Sequence, residues 1–203
     1  MALTTAEINL IIDFDEAELT GRQHLIGLYR AIQNRAFLQI KYQPFQSEQV
    51  MIRHVFPLLL KEYNNRWVLI SWEPDRDTPQ NLPLDRIRSF YETAATFPYP
   101  KSFDGKGYFA NLIGTTKTDK EPQTVVLRFT KNRANYVSTK KLHQSQQETW
   151  FPDGSLEIRL FIELNRELEA RILEFGADVL VFQPPKLREK IREALAQALA
   201  QYG

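Results

Sequence analysis

The chain of 203 residues is 43% hydrophobic and 25% charged, with a net charge of +1, an ordinary globular composition that leads us to expect two small domains. It contains no cysteine, which excludes disulfides, thiolate nucleophiles and cysteine-based zinc sites, and His24, His54 and His143 are too scattered to suggest a metal centre. No apolar run reaches the roughly 18 residues of a membrane span, and the stretch Met1 to Glu18 is acidic where a secretion signal would be basic, so the expectation is a cytoplasmic protein without cofactor.

After that leader, Thr20 is placed to cap a helix in which Leu25, Leu28, Tyr29 and Ile32 recur at helical spacing, ending near Arg35. The period then changes to two. Leu38, Ile40 and Tyr42 alternate with Gln39 and Lys41, and Val50, Ile52, His54 and Phe56 alternate in the next stretch. Arg66 to Trp72 is a run of strand formers preceded by the turn-prone Tyr63-Asn-Asn, and Leu82, Leu84 and Ile87 follow a Pro74 to Pro79 loop. Short strands with a turn every ten residues or so predict a small antiparallel barrel over 37–96, behind a leader and helix over 1–36.

Phe97-Pro-Tyr-Pro and the segment 114–122 read as linker, with a short helix near Gly107 to Ile113 inside a connecting region 97–122. From Gln123 the expected order is a strand (Thr124 to Phe129), a helix (Lys131 to Thr139), a strand (His143 to Trp150) and a Pro152-Asp-Gly154 turn. A strand (Leu156 to Leu164), a helix capped by Asn165, a strand (Val179 to Phe182) and a last helix from Pro185 complete it. The order βαββαβ over 123–203 predicts a ferredoxin-like fold. The extra helix, with Leu187, Ile191, Leu195 and Leu199 on one stripe, is expected to pack across that sheet or against another subunit.

Charge is uneven. Residues 97–143 hold nine lysines and arginines against three acids, and residues 144–183 hold three basic residues against eight acidic ones. Two readings stay open: a solvated linker followed by an acidic helix, or a positive groove for a phosphate-bearing partner.

Four segments in order carry a resemblance: Ala31 to Tyr42, Arg53-His-Val-Phe-Pro57, Arg66-Trp67-Val-Leu69 and Leu84-Asp-Arg-Ile87. Together they resemble the WYL domain of bacterial transcription regulators. Leu142-His-Gln-Ser145, Asn165-Arg-Glu-Leu168 and Leu173-Glu-Phe-Gly176 are similar to the C-terminal extension that accompanies it. Two positions depart from the family pattern: Val68 stands where the family has tyrosine, and Pro83 where an arginine is common. The resemblance implies an α+β chain, with a small SH3-like or Sm-like barrel followed by the ferredoxin-like domain. It further implies a homodimer, and a DNA-binding helix-turn-helix that Met1 to Thr20 is too short to hold. On this reading either the chain is part of a longer protein or its regulator uses a separate DNA-binding partner.

By motif position the resemblance makes Tyr42, Arg53 and Arg86 ligand contacts, with Trp67 as the support beneath them. The residues themselves point the same way. Arg53, His54, Arg66, Arg86 and Arg88 lie at expected strand ends beside aromatic residues; guanidinium forks bind phosphate, and aromatic faces stack on unpaired bases. The expected ligand is single-stranded nucleic acid or a nucleotide. The alternatives are an enzyme, a nuclease or hydrolase, for which Asp75 and Asp77 are the nearest paired carboxylates, or a constitutive interaction module with no small ligand.

Overall fold

A computed structural model describes residues 20–94, 97–100, 103–118 and 120–203, and divides the chain into two compact units, Met1–Pro100 and Lys101–Gly203. The acidic leader lies outside the described residues. No described helix is long and apolar enough to cross a membrane.

In the first unit, a single 3₁₀ turn (Arg22–His24) leads into α1 (Leu25–Gln33). The residue at the cap is Gly21 rather than the expected Thr20, and no side chain caps the turn. Glycine is required there: φ is 91°, and a Cβ would lie 2.4 Å from the Leu84 carbonyl. Leu28 and Ala31 are buried, whereas Tyr29 is turned out to solvent, so the apolar stripe is narrower than its spacing suggested.

Five strands follow: β1 (Phe37–Tyr42), β2 (Met51–Tyr63), β3 (Arg66–Trp72), β4 (Gln80–Pro83) and β5 (Ile87–Thr93). All pair antiparallel, in the order β4-β3-β2-β1-β5. The end strands β4 and β5 are joined by only the 3₁₀ turn Leu84–Arg86. A flat sheet would hold them about 19 Å apart, four strand spacings, whereas the connection spans at most about 14 Å. The sheet therefore curls. Residues of all five strands, with Leu28 and Ala31, close on one core that includes Leu38, Ile40, Val55, Leu69, Leu82 and Ile87. Among the described residues β4 and β5 are not paired with each other, so the sheet does not close into a complete barrel.

Alternation holds in β1 and fails in β2. Val50 and Ile52 are exposed, and Val55 through Leu58 are buried consecutively. Up to Val55 the inner row is Met51, Arg53 and Val55, which puts Ile52 on the other face; beyond it the register shifts at Pro57–Leu59, where proline cannot donate to the ladder. Both faces are covered there: Val55 enters the core, and Phe56 packs against Phe37 and Tyr99, with ring centres 4.7 and 5.2 Å away. The β2–β3 hairpin turns on Asn64 and Asn65, both left-handed (φ 50° and 58°), as a two-residue turn demands.

The second unit contains α2 (Gly105–Phe109), β6 (Gln123–Phe129), α3 (Lys131–Thr139), β7 (Gln147–Trp150), β8 (Leu156–Ile162), α4 (Arg166–Leu173), β9 (Val179–Gln183) and α5 (Pro185–Ala200). The sheet is antiparallel in the order β7-β8-β6-β9. Strict alternation in β8 buries Leu156, Ile158, Leu160 and Ile162. β7 begins later than expected because His143 to Gln146 form a turn, in which His143 Nδ1 contacts Ser145. In α5, Leu187 and Ile191 are buried, while Leu195 and Leu199 are exposed.

The expected linker 114–122 is, over Gly114 to Thr118, a strap fixed to this unit. Glu167 Oε1 accepts from the Thr115 and Thr116 amides (3.1 and 2.9 Å), and Glu163 Oε2 accepts from the Thr118 amide (2.9 Å). Asn165 Nδ2 donates to the Ile113 and Thr116 carbonyls at 2.8 and 2.9 Å. The charge asymmetry resolves in the same way. Basic residues of the first segment meet acids of the second in the pairs Lys117–Glu163, Arg128–Glu157 and Arg133–Asp178, which removes three of the nine cations from any positive groove.

Candidate functional site

At one end of the curled sheet the inner row runs out of apolar residues. Across β1 and β2, Leu38 faces Val55, Ile40 faces Arg53 and Tyr42 faces Met51. The alternation that buries Leu38 and Val55 therefore carries Arg53 to the mouth of the core beside Tyr42. A guanidinium at the edge of an apolar core needs a counter-charge, and Glu73, just past the end of β3 and 5% exposed, supplies it. Its Oε1 accepts from Arg53 Nε at 2.8 Å and from Nη2, while Arg76 approaches the other oxygen at 3.7 Å.

The turn between β4 and β5 completes the mouth. Asp85 pairs with Arg66 (3.2 Å) and more loosely with Arg86 (3.7 Å). That second distance is too long for a hydrogen bond, and Asp85 Oδ1 and Arg86 Nε are both buried without a hydrogen-bond partner. The Arg86 guanidinium lies 4.3 Å from the centre of the Phe45 ring. Burial pushes the Tyr42 phenol above its ordinary pKa; the charge and hydrogen bond of Arg86, and the charge of Arg53, oppose that rise.

Tyr42, Arg53 and Arg86 thus lie together, and Arg66 joins them through Asp85. Arg88 is exposed on the rim, its Nε donating to Gln43 Oε1 at 3.0 Å. His54 points to the other face of β2, against Gln39 Oε1 (3.2 Å) and stacked on Phe37. A cleft of about 360 Å³ runs beside Arg53, His54, Glu73, Asp75 and Phe97. Another, of about 320 Å³, is lined by the loop Gln43 to Glu48 and by Arg88.

Tyr42, expected as a ligand contact, is only 5% exposed, and Trp67, expected as the support beneath the contacts, packs half-buried against the core. Two exposed aromatic rings stand here instead, Phe97 beside Arg53 and Phe45 beside Arg86, and neither was expected from the sequence. The signal for Phe45 was weak, an aromatic ring in an otherwise polar loop, Gln43-Pro-Phe-Gln-Ser-Glu48. Val68 and Pro83 prove to be direct partners across β3 and β4. The two departures from the family pattern are therefore one local change, which replaces an aromatic hydroxyl and a cation with a dry contact. Asp75 and Asp77 are exposed in the loop after β3, and among the described residues no group of three or more His, Asp or Glu is disposed to hold a metal ion.

Two domain families match the chain: the WYL domain over residues 23–91 and the WCX domain over residues 121–199. The chain is 25% identical over 189 residues to Protein PafB of Mycobacterium tuberculosis (strain ATCC 25618 / H37Rv) and, equally, of Mycobacterium bovis, an alignment covering 91% of this chain and 55% of theirs. It thus spans about half the length of the curated relatives it matches. Among solved structures, a CRISPR Cas-related protein shares the fold at 12% identity and a TM-score of 0.54, over 90% of this chain and 52% of that one. Proteasome accessory factor B/C (PafBC) of Arthrobacter aurescens aligns at 20% identity with a TM-score of 0.36, over 97% of this chain and 30% of that one. The chain thus carries a WYL domain followed by a WCX domain and is similar over 91% of its length to part of PafB.

Proposed function

We propose that the chain is the effector-sensing and dimerising region of a bacterial, cytoplasmic WYL-type transcription regulator. It binds single-stranded nucleic acid or a nucleotide at the Tyr42–Arg53–Arg86 mouth, and so controls DNA binding by a fused or partner helix-turn-helix. The observation that carries this reading is the charge balance of the mouth: Arg53, Arg66, Arg76 and Arg86 pair with Glu73 and Asp85, and Arg88 stands beside them on a neutral glutamine, so that with Asp75 and Glu48 of the cleft walls counted five guanidiniums face four carboxylates. Guanidiniums in excess over carboxylates at the rim of a cleft suit a phosphate-bearing ligand. On the same reading the curled sheet is an SH3-like or Sm-like barrel left open between β4 and β5. The βαββαβ order, with its central pair β8 and β6, supports a ferredoxin-like second domain.

The test is titration of a short single-stranded oligonucleotide at two salt concentrations. Arg86→Ala and Arg88→Ala are each expected to weaken binding about tenfold, the scale of one hydrogen bond to a charged group. Each should also reduce the slope of log affinity against log salt by about 0.7. Arg53→Ala is expected to do the same, with its fold checked by circular dichroism because it strands Glu73. No binding to any oligonucleotide or nucleotide would overturn the proposal, and metal-dependent cleavage of the strand would replace it with an enzyme.

Dimerisation belongs to the same proposal and is supported by the apolar stripe of α5 continuing through Leu195 (45% exposed) and Leu199 (71% exposed). Light scattering on the purified chain is expected to give twice the monomer mass, and a monomer would refute this part.

A further inference from the structure

We propose that Phe45 is the base-stacking platform of this site, so that the ligand is recognised by a planar heteroaromatic ring as well as by its phosphate. The inference rests on the proposed nucleic-acid reading of the mouth and adds a residue and a specificity to it.

Phe45 is 63% exposed in the β1–β2 loop, a large apolar ring held where it gains little from burial. One face of the ring is backed by the Arg86 guanidinium at 4.3 Å. Such a cation beneath the ring fixes its plane and leaves the opposite face open. The loop that carries Phe45 is tied down near its base: the Gln43 amide donates to the Arg86 carbonyl at 2.9 Å, and Gln43 Nε2 donates to the Glu48 carbonyl at 3.1 Å. Gln43 also holds Arg88 through its side-chain oxygen. Phe45 and Arg88 therefore line the same 320 Å³ cleft, together with Glu48, while Arg86 lies behind the ring: an aromatic face with one guanidinium at its edge and another beneath it. A base stacked on the open face of Phe45 would carry its phosphate toward Arg88. This arrangement discriminates a nucleic acid from a bare polyanion, which the arginines alone cannot do.

The experiment compares a short oligothymidine with an abasic strand of the same length and charge, by fluorescence anisotropy on the whole chain. The wild type is expected to bind oligothymidine about tenfold more tightly than the abasic strand, the effect of one stacked base. Phe45→Ala should abolish that preference by bringing affinity for oligothymidine down to that for the abasic strand. Phe45→Trp should keep the preference, with an added indole emission quenched by oligothymidine and not by the abasic strand. Equal affinity of the wild type for both strands, or an equal loss for both in Phe45→Ala, overturns the role of Phe45 and leaves phosphate binding intact. Failure of either strand to bind overturns both proposals.

Discussion

Replacing Glu73 with glutamine is expected to lower the stability of the first unit by about 2 kcal/mol and, at the same time, to tighten oligonucleotide binding several-fold. The two effects have one cause. Glu73 is buried and is the counter-charge that lets Arg53 sit at the edge of the core. Breaking a fully buried ion pair costs about 3–5 kcal/mol, because the remaining charge is left without compensation. Arg53 keeps 19% of its side chain exposed, so water recovers part of that cost and the lower figure applies here. Glutamine has the same shape and can still accept a hydrogen bond, but it returns a full positive charge to the mouth, where a phosphate would meet it. Urea denaturation and anisotropy titration of the same variant measure both quantities. A destabilised protein with unchanged affinity would show that Arg53 serves the fold and not the ligand.

The second unit should be equally sensitive at Asn165, where alanine is expected to cost about 3 kcal/mol. Its side chain does two jobs from a position 3% exposed: Oδ1 accepts from the Leu168 amide to cap α4, and Nδ2 donates to the Ile113 and Thr116 carbonyls. Losing the cap alone is worth about 1 kcal/mol. The remainder comes from two carbonyls deprived of their donor, about 1 kcal/mol each. Aspartate separates the contributions, since it can still cap the helix but cannot donate. Chemical denaturation gives the total, and hydrogen exchange at Thr115, Thr116 and Thr118 reports the strap. A cost near 1 kcal/mol for alanine, with exchange unchanged, would mean that the strap is held by Glu163 and Glu167 alone.

These two residues mark where the sequence was legible and where it was not. Asn165 was readable as a cap because a cap bonds three residues onward, within one turn of chain. Its grip on Ile113 and Thr116 reaches about fifty positions back, and no local pattern encodes that. For the same reason a stretch rich in threonine, glycine and lysine read as linker. In β8 apolar residues recur at every second position from Leu156 to Ile162, so the strand and its buried face could both be read even though Phe161 puts an apolar ring on the outer face. In β2 the expected face was wrong at Ile52, and the shift at Pro57 then breaks the period. At the site, the motif order drew attention to Arg53 and Arg86. Asp85 was legible as a partner of Arg86 because it is the neighbouring residue, whereas Glu73 lies twenty positions from Arg53 and Phe45 forty-one from Arg86, and only the folded chain brings them together.

The strap also fixes where the second unit can be cut. The WCX match begins at residue 121, after the strap. A fragment begun there would leave the buried Glu163 and Asn165 and the half-buried Glu167 without the backbone groups they bind, and would lose the buried Leu112 and Ile113. The segment that packs as one piece is therefore longer than the match: its N-terminal border lies before Leu112, and any chimera that respects the packing must carry the strap with the domain it serves.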